Sequence, residues 1–232
     1  TYRHRARLLL AGVLLTLAAA CSQGRAYPPD VIVVATLNAP LNFDPRVGID
    51  EASQKIHQLL YDSLVRVDDQ LRVVPDLAES ITNPEPTRYV ATLRRGVRFH
   101  DGRELTARDV AYTFQSFLNR DFVTAKKGAY RLLASVRALD SHTVEFTLKE
   151  AFGSFPINLL MGIVPDGAPA SIAQQPVGSG PYAFVSYAAD DRTVLAANRD
   201  YWRGEPANAG LVLKVVPHET MRGLELCKGT VD

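Results

Sequence analysis

The stretch that most restricts the fold lies at the end of the sequence. Leu211 to Val216 is a continuous apolar run of strand length. Glu219 to Lys228 then reads as a helix with Met221, Leu224 and Cys227 facing inward, and Gly229 stands where a helix-terminating glycine belongs. Thr230, Val231 and Asp232 open a further strand. A strand and its crossover helix require a parallel partner strand in the same sheet. The sequence stops as that strand begins, so it reads as cut short.

Upstream, the elements alternate in the same style. VIVVAT (31–36) is a buried strand by its β-branched composition, and 37–49, rich in Asn, Pro, Asp and Gly, is a loop. Asp50 is placed to cap a helix whose apolar stripe is Ile56, Leu59, Leu60 and Leu64. Asp68-Asp69-Gln70 turns into a strand at Leu71 to Val74, and 88–94 alternates as another. Turns follow at Arg95-Gly96 and Asp101-Gly102, and Val97 and Phe99 alternate between them. Thr106 to Asp109 forms a capping box ahead of Val110, Phe114, Phe117 and Leu118 on one helical face. Val144, Phe146 and Leu148 mark a strand, and Phe155 to Val164 a compact apolar stretch closed by Pro165. Tyr182 to Tyr187 and Thr193 to Ala196 pair around Asp190-Asp191.

With 47% hydrophobic and 22% charged residues in 232, this is globular composition, not that of a disordered, collagenous or disulfide-dense chain. A net charge of +1 supplies no basic field, so no nucleic-acid partner is expected. The charge is uneven, however. Arg3, Arg5 and Arg7 give residues 1–20 a charge of +3, and the rest sums to −2, the +1 total less that leader. Segment 8–20 (LLLAGVLLTLAAA) is too short to span a bilayer, which takes about 20 apolar residues. A basic start, a short apolar stretch and small residues before Cys21 form an export signal. Ala18, Ala19 and Ala20 before Cys21 resemble a bacterial lipobox, in which the Cys thiol is acylated; ordinary cleavage after Ala20 is the alternative. Lipidation would leave Cys227 unpaired, so no structural disulfide is expected. Residues 21–30, with Pro28 and Pro29, suit a tether.

The search for chemistry returns little. The histidines lack the i, i+4 spacing of a helical zinc site, and there is no CxxC, so no metal or cofactor is expected. His57 reads as a surface residue ahead of a metal ligand, and His100-Asp101-Gly102 as a turn ahead of a catalytic pair. Gly178-Ser179-Gly180 lacks both the Walker lysine and the spacing of a hydrolase elbow. Its missing side chains expose backbone to whatever lies opposite, either a ligand or a tight turn feeding the Tyr182 strand. Trp202 reads as core or loop packing, with a cleft cap as the alternative.

Several blocks together resemble one family. TRYVATLRRGVRFHDGRELTARDVAYTF (87–114), PVGSGPYAFVSY (176–187), NRDYWRGEPA (198–207), Asn42-Phe43-Asp44-Pro45 and KGTVD (228–232) are similar, in order, to segments of the family 5 bacterial extracellular solute-binding proteins, the peptide/nickel-binding group that feeds ABC importers. The resemblance implies a type II periplasmic-binding-protein clamp of two α/β lobes with an inserted domain, of which this chain holds only lobe one (31–45 and 165–232, incomplete) and the insert (46–164). It implies a non-enzymatic monomer in the periplasm or cell envelope, anchored to the membrane by lipid on Cys21. The ligand would be a small solute, an oligopeptide or dipeptide foremost, passed to ABC permease subunits. Ligand contacts would come from Asn38, Ala39 and Asn42 and from Gly178, Ser179, Gly180 and Tyr182 near the interlobe cleft. Ala39 stands where peptide binders often carry an acid. A secreted hydrolase and a sensory or chaperone-like binder on the same fold are the competing readings.

Overall fold

The computed structural model describes residues 26–232, so the leader expected over 1–20 and the lipidation expected at Cys21 lie outside the described residues. In chain order the elements are β1 (Val31–Thr36), α1 (Glu51–Leu60), β2 (Val65–Val67), β3 (Val73–Pro75), β4 (Ala78–Glu85), β5 (Arg88–Leu93), α2 (Ala107–Gln115), β6 (Leu133–Ala138), β7 (Thr143–Leu148), β8 (Tyr182–Ala188), β9 (Arg192–Ala197), β10 (Gly210–Val215) and α3 (Glu219–Cys227). Short 3-10 turns cover Ala125–Tyr130, Phe155–Leu159 and Ala170–Ala173.

Two four-stranded sheets divide these elements. The first has the order β1-β10-β9-β8, with β1 parallel to β10 and the other pairs antiparallel. The second, β4-β5-β7-β6, is antiparallel throughout, and β2 and β3 form a separate hairpin. The alternation read at 88–94 holds: Tyr89, Ala91 and Leu93 are buried and their neighbours half-buried. α2 starts as its sequence dictates, since the Asp109 carboxylate reaches back to the Thr106 backbone N–H at 2.7 Å. Leu118 is 38% exposed, against expectation, because the helix ends at Gln115 before that turn is complete.

Burial sorts the chain into two packed units. One core runs from Leu64 to Ile163, where Phe114 meets Phe146 edge-on at 5.1 Å and Phe117 stacks on Tyr130 at 4.1 Å. The other lies on one face of the first sheet, where α1 sets Ile56 and Leu60 against Phe43, Val164, Leu195 and Leu211. α1 packs with the first sheet. Its apolar stripe decides this, since that stripe is buried against β9 and β10. The packing changes over between Ile163 and Val164.

The opposite face of the first sheet has a smaller cluster of Val33, Val212 and Val231 under Tyr27. Residues 230–232 run to the outer side of β1, where Asp232 N–H donates to the Val33 carbonyl at 2.8 Å and its carboxylate accepts from Val33 N–H at 2.9 Å. The helix before them corrects an expectation. Met221, Leu224 and Cys227 do not face inward: no residue of α3 is buried, and Met221 and Leu224 are 43% and 46% exposed. Polar contacts hold α3 instead, through Lys214 to Glu225 at 2.6 Å and Arg222 to the Val216 carbonyl at 2.9 Å. Among the described residues nothing packs over its apolar face.

Candidate functional site

α1 is the element from which the site is built. Asp50 caps it, accepting from Ser53 N–H at 2.9 Å. With Ile56 and Leu60 committed to the sheet, the 3.6-residue period turns Gln54, His57, Gln58 and Tyr61 along another side. That side borders a groove of about 660 Å³ between the two packed units. Across the groove stand Asp62, Arg66, Asp76, Lys126, Tyr201 and Arg203.

The two loops singled out by sequence lie at opposite ends of α1. At its N-terminal end, Leu41 and Asn42 donate their N–H groups to Ser53 Oγ at 3.0 and 3.1 Å. The Asn42 side chain is spent locally, Oδ1 accepting from Asp44 N–H at 2.8 Å, while its carbonyl accepts from His57 Nε2 at 2.9 Å. Asn38 is exposed and Ala39 half-buried. At the C-terminal end, Gly180 N–H donates to the Leu60 carbonyl at 2.9 Å. A Cβ on Gly178 would fall 1.8 Å from that same oxygen, and one on Gly180 2.5 Å from the Leu59 carbonyl. What lies opposite this glycine pair is thus the end of α1. Tyr182 has its ring in the core of the first sheet and its hydroxyl on Asn208 Oδ1 at 2.6 Å. A ten-residue helix is about 15 Å long, so the two loops meet α1 about that far apart, and none of these seven residues lines the groove.

His100 holds the glycine loop. Its N–H donates to the Gly178 carbonyl at 2.7 Å, Nδ1 accepts from Gly178 N–H at 3.3 Å, and Nε2 donates to the Gly180 carbonyl at 3.0 Å. This is the neutral ring, and burial pushes its pKa down accordingly. Ser179 is fully buried, with Oγ on Asp62 Oδ2 at 3.1 Å. Ser179 and His100 are therefore each engaged elsewhere and form no nucleophile–base pair.

Sequence reasoning did not find the polar residues that furnish the groove. Asp62, 4% exposed, accepts from Tyr201 Oη at 2.9 Å and Trp202 Nε1 at 3.0 Å in addition to Ser179. Burial raises its pKa against the pull of these donors and of Arg203 at 3.6 Å. Trp202 is thus a donor to a buried acid, half-covered by the larger core. Arg203 bonds Asp76 at 2.6 Å, and burial raises that carboxyl too. His57 was expected at the surface, but it is 7% exposed and pushed down to about 4, chiefly by burial. Its position on α1 accounts for this, because the Asn42 loop folds over the ring. Lys126 reaches from the larger unit to the Pro45 carbonyl at 2.5 Å, and burial lowers its pKa. No cluster of three or more metal-ligating side chains occurs among the described residues. Only the run from an apolar helical stripe straight into Asp62 could have signalled the buried acid.

Comparison with known proteins agrees with this architecture. The model of the middle region of the bacterial extracellular solute-binding proteins, family 5, matches residues 72–232. The oligopeptide-binding protein AppA of Bacillus subtilis is 30% identical over 259 residues, covering 99% of this chain and 48% of its own length. Heme-binding protein A of Haemophilus influenzae is also 30% identical, covering 98% and 50%. The chain spans about half the length of the curated relatives it matches. Among solved structures, AppA in complex with a nonapeptide superposes with a TM-score of 0.83 at 31% identity, over 87% of this chain and 43% of that one. NikZ of Campylobacter jejuni, in complex with Ni(L-His), gives 0.82 at 25% identity over 89% and 43%. The fold is that of part of a type II periplasmic binding protein.

Proposed function

The chain belongs to the bacterial extracellular solute-binding proteins of family 5, and from that premise we propose that it serves an ABC importer as the extracytoplasmic binding component for peptides or similar small solutes. In this reading the first sheet with α1 is lobe one, the unit from Leu64 to Ile163 is the inserted domain, and the groove along α1 is the chain's share of the solute site. The Asn38–Asn42 loop meets the groove through the bond of the Asn42 carbonyl to His57. The Gly178–Tyr182 loop fixes the far end of the helix. Lipid on Cys21 tethers the monomer to the membrane beside its permease.

The observation that carries this reading is the likeness, over nearly the whole chain, to proteins named for binding oligopeptides, dipeptides and haem. A protein that closes on its solute is stabilised by it, by about 2.7 kcal/mol at a hundredfold excess over Kd. Thermal melts of the full-length protein with di- to nonapeptides, haem and nickel–histidine should therefore show a rise in Tm for at least one class. Unchanged Tm across all of them at millimolar solute would sink the transport reading.

A further inference from the structure

The charges lining the α1 groove are unequally balanced. The acids are already served, Asp62 by three neutral donors and Arg203, and Asp76 by Arg203 at 2.6 Å. Lys126 and Arg66 border the same groove, and neither has a carboxylate within 4.0 Å among the described residues. Lys126 is the more constrained of the two. It is half-buried, and one of its three N–H donors goes to the Pro45 carbonyl. The acid in its vicinity, Asp44, is held bidentately by Arg46, Nε to Oδ1 at 3.0 Å and Nη2 to Oδ2 at 2.8 Å. Asp44 therefore acts on the lysine through space, without a contact of its own to Nζ. His57, on the helix side, gives its Nε2 proton to Asn42 and adds no negative charge. A partly desolvated ammonium with donors to spare, facing an open groove, has no carboxylate in contact among the described residues.

We propose that the Lys126 end of the groove is an anion subsite that takes the carboxylate of a bound solute, with Lys126 Nζ as counter-ion. The proposal rests on the groove being the solute site and adds a chemical class to it: the solute is an acid, either a peptide with a free C-terminus or a small carboxylic acid. Lys126 comes from the larger unit and Pro45 from the loop before α1, so an anion bound there would touch both units at their seam.

Calorimetric titration of the full-length protein with two matched pairs tests this: trialanine against trialanine amide, and glutarate against glutaramide. In the unmodified protein at low salt the acid of a pair should bind about tenfold tighter than its amide, the usual worth of a charged hydrogen bond. Lys126→Gln keeps a donor for the Pro45 carbonyl but loses the charge; it should bring the two affinities within about twofold of each other. Lys126→Arg should restore the preference. Glutarate binding with that pattern while neither peptide binds would keep the subsite and end the peptide reading. Trialanine and its amide binding equally would keep the peptide reading and overturn the subsite. A preference that survives in Lys126→Gln, or no binding of any of the four, overturns it as well.

Discussion

The two packed units meet the demand for burial in different ways. The unit from Leu64 to Ile163 closes on itself: its sheet has α2 on one side, and Phe114, Phe146 and Phe155 share one interior. The first sheet has α1 on one face, a thin cluster under Tyr27 on the other, and a terminal helix with no buried residue. Fold integrity therefore rests on the first unit. The second concentrates its specific contacts on α1, which touches the sheet, both loops and the groove.

Removing the ring of Phe114, fully buried, should cost about 3–5 kcal/mol. Leu224→Ala on exposed α3 should stay within about 0.5 kcal/mol. Urea unfolding of both variants checks this, and equal losses would erase the contrast between the units. If the units unfold separately, Phe114→Ala should move only one of two transitions.

The second prediction isolates α1 by pH. His57 has a folded pKa of about 4 against 6.5 for the free side chain. Above 6.5 both states are neutral and the contribution is complete. Between 6.5 and about 4 the unfolded chain binds the extra proton, so stability falls as pH falls, by about 1.4 kcal/mol per unit and roughly 3 in all. His57→Gln should flatten that slope relative to the parent in denaturation series at pH 7, 6, 5 and 4.5. Parallel slopes would show that burial does not hold the ring neutral.

The third and smallest effect lies at the other end of α1. Gly178→Ala forces a Cβ against the Leu60 carbonyl and should destabilise by about 1–3 kcal/mol. Gly153→Ala, with nothing within 4 Å, should be neutral or slightly stabilising. Matching melts for the two would mean that the loop and helix end are not tightly joined.

Much of the architecture was legible because it is local. The Asp50 cap, the Thr106–Asp109 box and the β8–β9 turn at Asp190 each announce themselves within a few residues. β4 did not, since AESITNPE is polar, carries Pro84 and is mostly exposed, leaving no alternation to read. The site was less legible for a related reason. Gly178 and Gly180 are correctly read as permitting a close approach, but the approaching group, the end of α1, lies more than a hundred residues away. Asp62 is completed by Ser179, Tyr201 and Trp202, which no spacing rule connects to it. The outward turn of α3 reverses a helical stripe that, by pattern alone, belongs inside.

The parallel pairing of β1 with β10 sets an order of events. Val31 finds its sheet partner in Gly210, and the outer side of Val33 is met by Asp232. During synthesis β1 leaves the ribosome well before β10 and must wait for it. The contiguous unit from Leu64 to Ile163 can condense meanwhile, because its contacts close over shorter stretches of sequence. The first sheet is thus completed after the unit from Leu64 to Ile163, and an apolar strand made before that unit has to be kept from other partners until then.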